Sequence, residues 1–209
     1  MPPILYSFRR CPYAMRARMA LVQANIQVVV REVSLKNKPE QLIALSPKAT
    51  VPVLNIDTEQ TLDESVEIMK WALGQNDPNH WLLGLTEIGN ALIDANDTSF
   101  KSALDAYKYA DRYPEKTPED HRNSCLPFIQ TLETKLSHHE YLVGNSQTMV
   151  DIAIFPFVRQ FAGVDPQWFA HSEFTQLQKW LAKHIESFLF ERIMRKYPIW
   201  SQSEKECVL

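Results

Sequence analysis

Between Ile4 and Leu35 the chain spells a strand, a covered helix and a second strand with very short joints, an order that leaves few folds open. Ile4 to Phe8 is a short apolar run. Pro12 to Ala24 has helical spacing and is apolar on most sides, with Arg16 and Gln23 seven apart on one polar seam, which predicts a largely covered helix. "IQVVVREVSL", Ile26 to Leu35, is β-branched and strand-like. Two strands joined through a helix lie parallel, so the opening predicts a βαβ unit.

The pattern continues in kind. A helical stretch runs from Glu40 to Leu45, "TVPVLNI" and "EQTLDES" supply two short strands about an Asp57-Thr58 turn, and "SVEIMKWAL" repeats apolar residues at Val66, Met69 and Leu73. The order to Gly74 is β-α-β-α-β-β-α, one α/β layer. "GQNDPNHWLLG" is rich in turn formers and marks a linker. Beyond it the periodicity predicts helices alone: about Glu87 to Tyr113, Pro118 to His139, Thr148 to Phe161, Glu173 to Ile185 and Phe188 to Lys196. The expected organisation is therefore an α/β domain over 1–76, a linker over 77–86 and an all-helical domain over 87–209. Thr148 and Asp151 stand at N-cap and N3 of "MVDIAIFPFV", a capping box with Asp in place of Glu, which assigns that acid to folding rather than chemistry.

Charge and cysteine usage exclude several functions. A formal net charge of -3 on 209 residues offers no basic field for nucleic acid or an anionic membrane. Cys11, Cys125 and Cys207 are too few and too scattered for a disulfide scaffold or a zinc site, and His138-His139 are adjacent rather than one turn apart, so no metal is expected. No apolar run approaches a bilayer span and no leader precedes the first strand, so a reducing, cytoplasmic setting is expected. Cys207, third from the end, is expected to be an ordinary exposed thiol, and Cys125 an inert helical one.

Cys11 differs from both. Pro12 suits the first helical position, so Cys11 falls at a helix N-terminus facing unpaired backbone N–H groups. A free cysteine of pKa about 8.5 is about 3% thiolate at pH 7, and a helix end worth up to roughly 2 kcal/mol raises that to roughly half. The expectation is a thiol ionised at neutral pH, with Arg9 and Arg10 adding to the effect if they approach; a buried, inert cysteine is the competing account. Ala14 stands where a C-x-x-C motif carries its second sulfur, so a mixed disulfide on Cys11 needs an outside thiol to clear it. Downstream, a cis Val51–Pro52 bond at a strand entry would leave the Val51 N–H and C=O free for an extended peptide. Glu64 and Ser65 begin another helix, where a hydroxyl and free N–H groups hold a carboxylate while Glu64 faces an ammonium. A plain N-cap is the competing account of Ser65.

"CPYA" after a first strand, then "LKNKPE", "TVPVL" and "DESVEI", in that order and spacing, resemble the cysteine-type glutathione S-transferases, most closely the omega class. The resemblance covers the N-terminal third motif by motif; the rest matches in length, layout and the "MVDIAIFPF" segment. It implies a thioredoxin-like domain followed by an all-helical one, usually in a homodimer, with glutathione as co-substrate. Carried onto this sequence, Cys11 is the catalytic cysteine, Tyr13 an aromatic beside it, Lys38 a contact of the glycyl carboxylate, Val51 with Pro52 the partner of the cysteinyl backbone, and Glu64 with Ser65 the holder of the γ-glutamyl end. Without the resemblance Lys38 would be a solvated loop lysine. The chain departs from the omega pattern in its short N-terminus and in Ala49-Thr50. Tyr6 and Ser7 compete with Cys11, since other members use a tyrosine or serine near the end of the first strand.

Three functions follow. The first is glutathione-dependent thiol transfer or reduction of mixed disulfides, dehydroascorbate or small oxidised electrophiles; the second is conjugation of glutathione to an electrophile; the third is a non-catalytic binding or scaffold module. Phe8, Tyr107, Tyr109, Arg112 and Trp168 are the expected liners of an electrophile pocket.

Overall fold

The computed structural model describes residues 2–201 and 206–209. The chain divides into two compact units, 1–80 with 187–209 and 81–186.

In the first unit, β1 (Ile4–Ser7) pairs in parallel with β2 (Val29–Glu32), Ile4 opposite Val29 through to Ser7 opposite Glu32. The connection is α1 (Pro12–Gln23), as the opening pattern predicts. After α2 (Glu40–Leu45), β3 (Val53–Asn55) runs antiparallel on the other side of β1, and β4 (Thr61–Leu62) antiparallel on β3. Then α3 (Ser65–Gln75) packs along α1. Ala14, Met15, Ala17, Met19, Ala20 and Leu21 of α1 are wholly buried, as are Ile68, Met69 and Ala72 of α3. At about 1.5–3 kcal/mol for each large apolar side chain removed from water, this contact anchors the helix that carries Cys11. Two arginines, Arg16 and Arg18, are buried along with them, where the sequence marks only a polar seam.

The second unit is helical: α4 (Glu87–Ala95), α5 (Lys101–Lys108), α6 (Pro118–His138), α7 (Met149–Ala162), α8 (Pro166–Ala170) and α9 (Thr175–Ile185). The single helix expected over 87–113 is interrupted by a turn of π-helix at Asn96–Phe100, where the Thr98 and Ser99 hydroxyls donate back to the Asp94 and Ala95 carbonyls. Part of the expected linker is ordered as well, since Trp81–Gly84 forms a 3-10 turn with Trp81 buried. Gly84 lies so near the start of α7 that a Cβ there would sit 2.5 Å from the Thr148 side chain. The capping box is present, and it is more than a cap. Asp151 accepts from the Thr148 N–H and hydroxyl with one oxygen, and from the Leu142 N–H and the Trp180 indole with the other, at 2.9 to 3.1 Å.

The end of the chain corrects the expectation of an all-helical stretch to 209. After α10 (Phe188–Ile193), which packs on α1, the Trp200 N–H donates to the Glu32 carbonyl, and β5 (Cys207–Val208) adds antiparallel to β2. The sheet order is β4-β3-β1-β2-β5. The cause is the open edge of β2, whose unpaired backbone groups take whatever strand the chain can return. Cys207 is thereby half-buried and paired with Val30 rather than a plain exposed thiol.

Candidate active site

Cys11 occupies the N-cap of α1, extended in backbone, with Pro12 as the first helical residue, as expected. Its Sγ donates to the Val51 carbonyl at 3.5 Å across a cis Val51–Pro52 peptide bond, so two residues 40 apart in sequence meet at one point. Cys11 and Phe8 pack with Trp200 against an apolar cluster of Tyr6, Val33, Leu42, Val51 and Val53.

The expected ionisation is not what this geometry gives. Burial pushes the Cys11 thiol up, and outweighs the N–H groups of Ala14 and Tyr13 and the charges of Arg18 and Arg16, which pull it down. The helix N-terminus acts in the expected direction and loses to desolvation. The cations acting on Cys11 are Arg18 and Arg16; the Arg10 guanidinium lies over the Phe8 ring at 5.6 Å, and the Arg9 backbone N–H donates to the Glu32 carboxylate at 2.7 Å.

Arg16 and Arg18 hold the site together. Arg18 donates to the Ser7 hydroxyl at 2.5 Å, and to the carbonyls of Arg9 at 2.7 Å and Phe8 at 3.4 Å, so it clamps the β1–α1 turn that presents Cys11. Ser7 is wholly buried under this guanidinium, which removes it as a rival nucleophile, and Tyr6 is buried with its hydroxyl accepting from Arg31 at 2.7 Å. Burial lowers the Arg18 pKa to about 10, opposed mainly by Glu32. Arg16 reaches from α1 to α3. Its guanidinium lies 5.0 Å over the Tyr13 ring, and its Nε donates to Ser65 Oγ at 3.0 Å.

Ser65 is the first residue of α3 rather than its N-cap; Glu64 is the N-cap, and its side chain caps nothing. With Arg16 donating to it, the buried Ser65 hydroxyl has its proton left to give. Glu64 is exposed and accepts from the Lys48 ammonium at 2.5 Å, while Lys48 also reaches Asp63 at 3.2 Å. A cation thus already rests on the carboxylate expected to face an ammonium. Lys38 is half-buried and lines a cavity of about 340 Å³ beside the β2–α2 turn.

The expected electrophile liners are divided. Phe8 belongs to the first unit. In the second, Tyr107 is buried against Phe161 at a centroid distance of 5.7 Å, and Trp168 packs on the same Phe161 at 6.0 Å with the Arg122 guanidinium 4.3 Å over its face. Both serve the helical core. Tyr109 is exposed and flanked by Lys108 and Arg112. Cys125 is inert as expected: it is buried in α6, donates to the His121 carbonyl, and desolvation pushes its thiol up to about 12. Sequence reasoning missed Arg16, Arg18, Lys48 and Trp200. The signal for the first two is a helix covered on every side that nevertheless carries two guanidiniums, each of which must find acceptors inside.

A βαβαββα layer with a thiol at a helix start, followed in sequence by a helical unit, is the frame on which the likeness to known proteins falls. The description "Glutathione S-transferase, N-terminal domain" matches residues 5–81, and "Glutathione S-transferase, C-terminal domain" matches 96–187. The chain belongs to the glutathione S-transferase family, a family of enzymes. Several relatives are of the omega class: the chain is 27% identical to glutathione S-transferase omega-1 of Mus musculus over 199 residues, 94% of this chain and 78% of that protein. Against omega-2 of Homo sapiens the identity is 39% over 62 residues, 30% of this chain and 26% of that one. Among solved structures, glutathione transferase URE2P6 of Phanerochaete chrysosporium, in complex with oxidised glutathione, superposes with a TM-score of 0.78 at 18% identity, covering 91% of this chain and 94% of that one. A family member from Pseudomonas fluorescens with two glutathiones bound gives 0.76 at 18%, covering 92% of each.

Proposed function

We propose that the protein is a glutathione-dependent thiol transferase acting through the single thiol of Cys11. The observation that carries the reading is the contact between Cys11 Sγ and the Val51 carbonyl, beside a cis proline and at a helix start that no side chain closes. Family membership and the omega-class relatives support glutathione as the co-substrate.

The roles follow from the chemistry of the tripeptide. Val51 supplies main-chain N–H and C=O groups to its cysteinyl residue at the turn made by Pro52. The Ser65 hydroxyl, polarised by Arg16, donates to the γ-glutamyl carboxylate, and Glu64 exchanges Lys48 for the ligand's ammonium. Tyr13 lies beside the thiol, and Lys38 meets the glycyl carboxylate. When the ligand takes the Val51 carbonyl, the Cys11 thiol loses its acceptor and keeps the N–H groups of Tyr13 and Ala14, which favour the thiolate. That thiolate attacks the glutathionyl sulfur of a mixed disulfide. The S–S bond breaks, the substrate thiolate leaves and takes a proton from water, and Cys11 carries the glutathionyl group. A second glutathione, as thiolate, attacks that sulfur, returning Cys11 to thiolate and releasing oxidised glutathione. Ala14 makes this outside thiol necessary.

Three free cysteines suit a reducing compartment such as the cytosol. Among the described residues no helix is long and apolar enough to cross a membrane. A homodimer is part of the proposal, and the exposed Leu83 and Ile88 side chains support it by offering apolar surface to a second copy; light scattering reads the mass.

One observation favours a second reading. A thiol that burial keeps protonated is a donor, and a donor beside Val51 would stabilise the thiolate of bound glutathione for conjugation instead. Cys11→Ala separates the two. Incubation with oxidised glutathione and mass spectrometry should find one glutathionyl group on the native protein at Cys11 and none on the variant, with loss of disulfide reduction. Full reduction by the variant overturns thiol transfer.

A further inference from the structure

We propose that Trp200 and its neighbours in the returning chain wall off a subsite for the glycyl carboxylate of the tripeptide, and that Trp200 thereby sets selection of glutathione over γ-glutamylcysteine. The inference rests on the proposed glutathione site and adds to it a residue about 190 positions away from the thiol.

The cavity of about 340 Å³ beside Lys38 has two walls from distant parts of the sequence: the run from Asn37 to Gln41 with Ser34, which brings the acidic Glu40 as well as Lys38, and Ile199, Trp200 and Ser201 from the returning chain. An ammonium, a carboxamide and two hydroxyls around a small space suit a carboxylate, with the indole supplying the apolar side against which a glycyl CH₂ rests.

The wall is fixed rather than loosely laid. The Trp200 N–H donates to the Glu32 carbonyl at 2.8 Å, and its ring sits 4.2 Å over the Arg31 guanidinium and edge-on to Tyr6 at 6.1 Å. Arg31 is itself held from both ends, donating to Tyr6 Oη at 2.7 Å and to Glu206 at 2.9 Å. Two aromatic faces on one desolvated guanidinium make a rigid stack. Trp200 also packs against the apolar cluster that receives Cys11 and contains Val51, which sets the wall on the same side of the sheet as the thiol. A tripeptide paired at Val51 and extended towards the β2–α2 turn brings its last residue to this cavity, whereas a dipeptide ends short of it.

Calorimetry with glutathione and with γ-glutamylcysteine tests the proposal on the native protein, Trp200→Ala and Trp200→Phe. Glutathione should bind the native protein more tightly than the dipeptide by about tenfold, the scale of one good charge-assisted hydrogen bond. Trp200→Ala should weaken glutathione about fivefold and move the dipeptide less than twofold, and Trp200→Phe should keep most of the preference. Should the alanine variant fail to fold, fluorescence decides: glutathione should perturb the native emission, the dipeptide should not, and the perturbation should vanish in Trp200→Phe while glutathione still binds. Native binding of glutathione with equal weakening of both ligands in Trp200→Ala, or with no weakening, overturns the wall and leaves the glutathione site standing. Failure of the native protein to bind either ligand overturns the site itself and the wall with it.

Discussion

The helix starts of the two units are built differently. In the helical unit, α6 and α7 open with complete capping boxes, Thr117 with Asp120 and Thr148 with Asp151, in which side chain and backbone satisfy one another. In the α/β unit, α1, α2 and α3 are N-capped by Cys11, Pro39 and Glu64, and none of these accepts a capping hydrogen bond, although the later α10 of that unit is closed by Ser187. Orphan N–H groups must be satisfied by something. Where the chain supplies the partner, the helix start is a device of folding; where it does not, solvent or a ligand does. Two of the three open caps, Cys11 and Glu64, are residues that the family resemblance assigns to glutathione.

The comparison breaks most decisively at Cys11. Cys11→Ser should cost disulfide reduction about a thousandfold or more, because a hydroxyl neither ionises nor exchanges with disulfides near neutral pH, with no matching loss of melting temperature. Its pH dependence is set by burial. Desolvation favours the neutral thiol in the folded, ligand-free protein, so the folded pKa lies above the unfolded one. The stability this contributes is full below the unfolded value and is lost as pH rises through the folded value. Alkylation by iodoacetamide, followed against pH, should therefore show its midpoint above that of an ordinary cysteine; a midpoint near neutrality would mean the helix start outweighs burial.

The closed start with the most at stake is Asp151. Asp151→Ala leaves two N–H groups, a hydroxyl and an indole without an acceptor inside the helical unit, which should lower stability by about 3 kcal/mol or more by chemical denaturation. The Kd for glutathione should change less than twofold if the protein is assayed well below its melting point. A tenfold weakening of glutathione would erase the division of labour between the two kinds of helix start.

How far all this was written in the sequence depends on how far apart the partners lie. The βαβ opening follows from local period, and the Thr148–Asp151 box from a spacing of three. The same spacing at Thr117 and Asp120 carries the same signal. By contrast, Arg16 meets Ser65 across 49 positions, and Trp200 meets Glu32 from near the far end of the chain. No periodicity announces such pairs. The charge state of Cys11 lay out of reach for a further reason: the helix start and desolvation act oppositely, and which one wins is a matter of burial that only the folded chain sets. Glu64 and Ser65 do open α3, but the plain N-cap account of Ser65 fails, since Glu64 holds that position and the Ser65 hydroxyl accepts from Arg16.

Glu64 sharpens the comparison from the open side. Glu64→Gln keeps the size of an exposed side chain that caps nothing, so stability should hold within about 0.5 kcal/mol. If Glu64 faces the ligand's ammonium as proposed, removing its charge should weaken glutathione about tenfold and flatten the salt dependence of its binding. Loss of stability without loss of affinity would make Glu64 a structural residue and return Lys48 to a plain surface ion pair.

The smallest effect belongs to Thr117→Ala, and it is the most direct test of what a cap is for. The Thr117 hydroxyl accepts from the Asp120 N–H at 3.1 Å and donates to the Asp120 carboxylate at 2.7 Å, all at an exposed helix start with no expected part in chemistry. Alanine at an N-cap costs about 1 kcal/mol, and glycine a few tenths relative to the native cap, since glycine lets water reach the freed N–H groups. Thr117→Ala should therefore melt lower than Thr117→Gly, with both keeping native turnover of a mixed disulfide. The open start of α1 should respond the other way round: Cys11→Ala removes no capping bond, only the sulfur's packing and its bond to Val51, so it should melt no lower than Cys11→Gly while abolishing turnover. If Cys11→Gly melts higher than Cys11→Ala, as glycine should at 117, the α1 start is a cap after all, and its openness ceases to be evidence for a ligand.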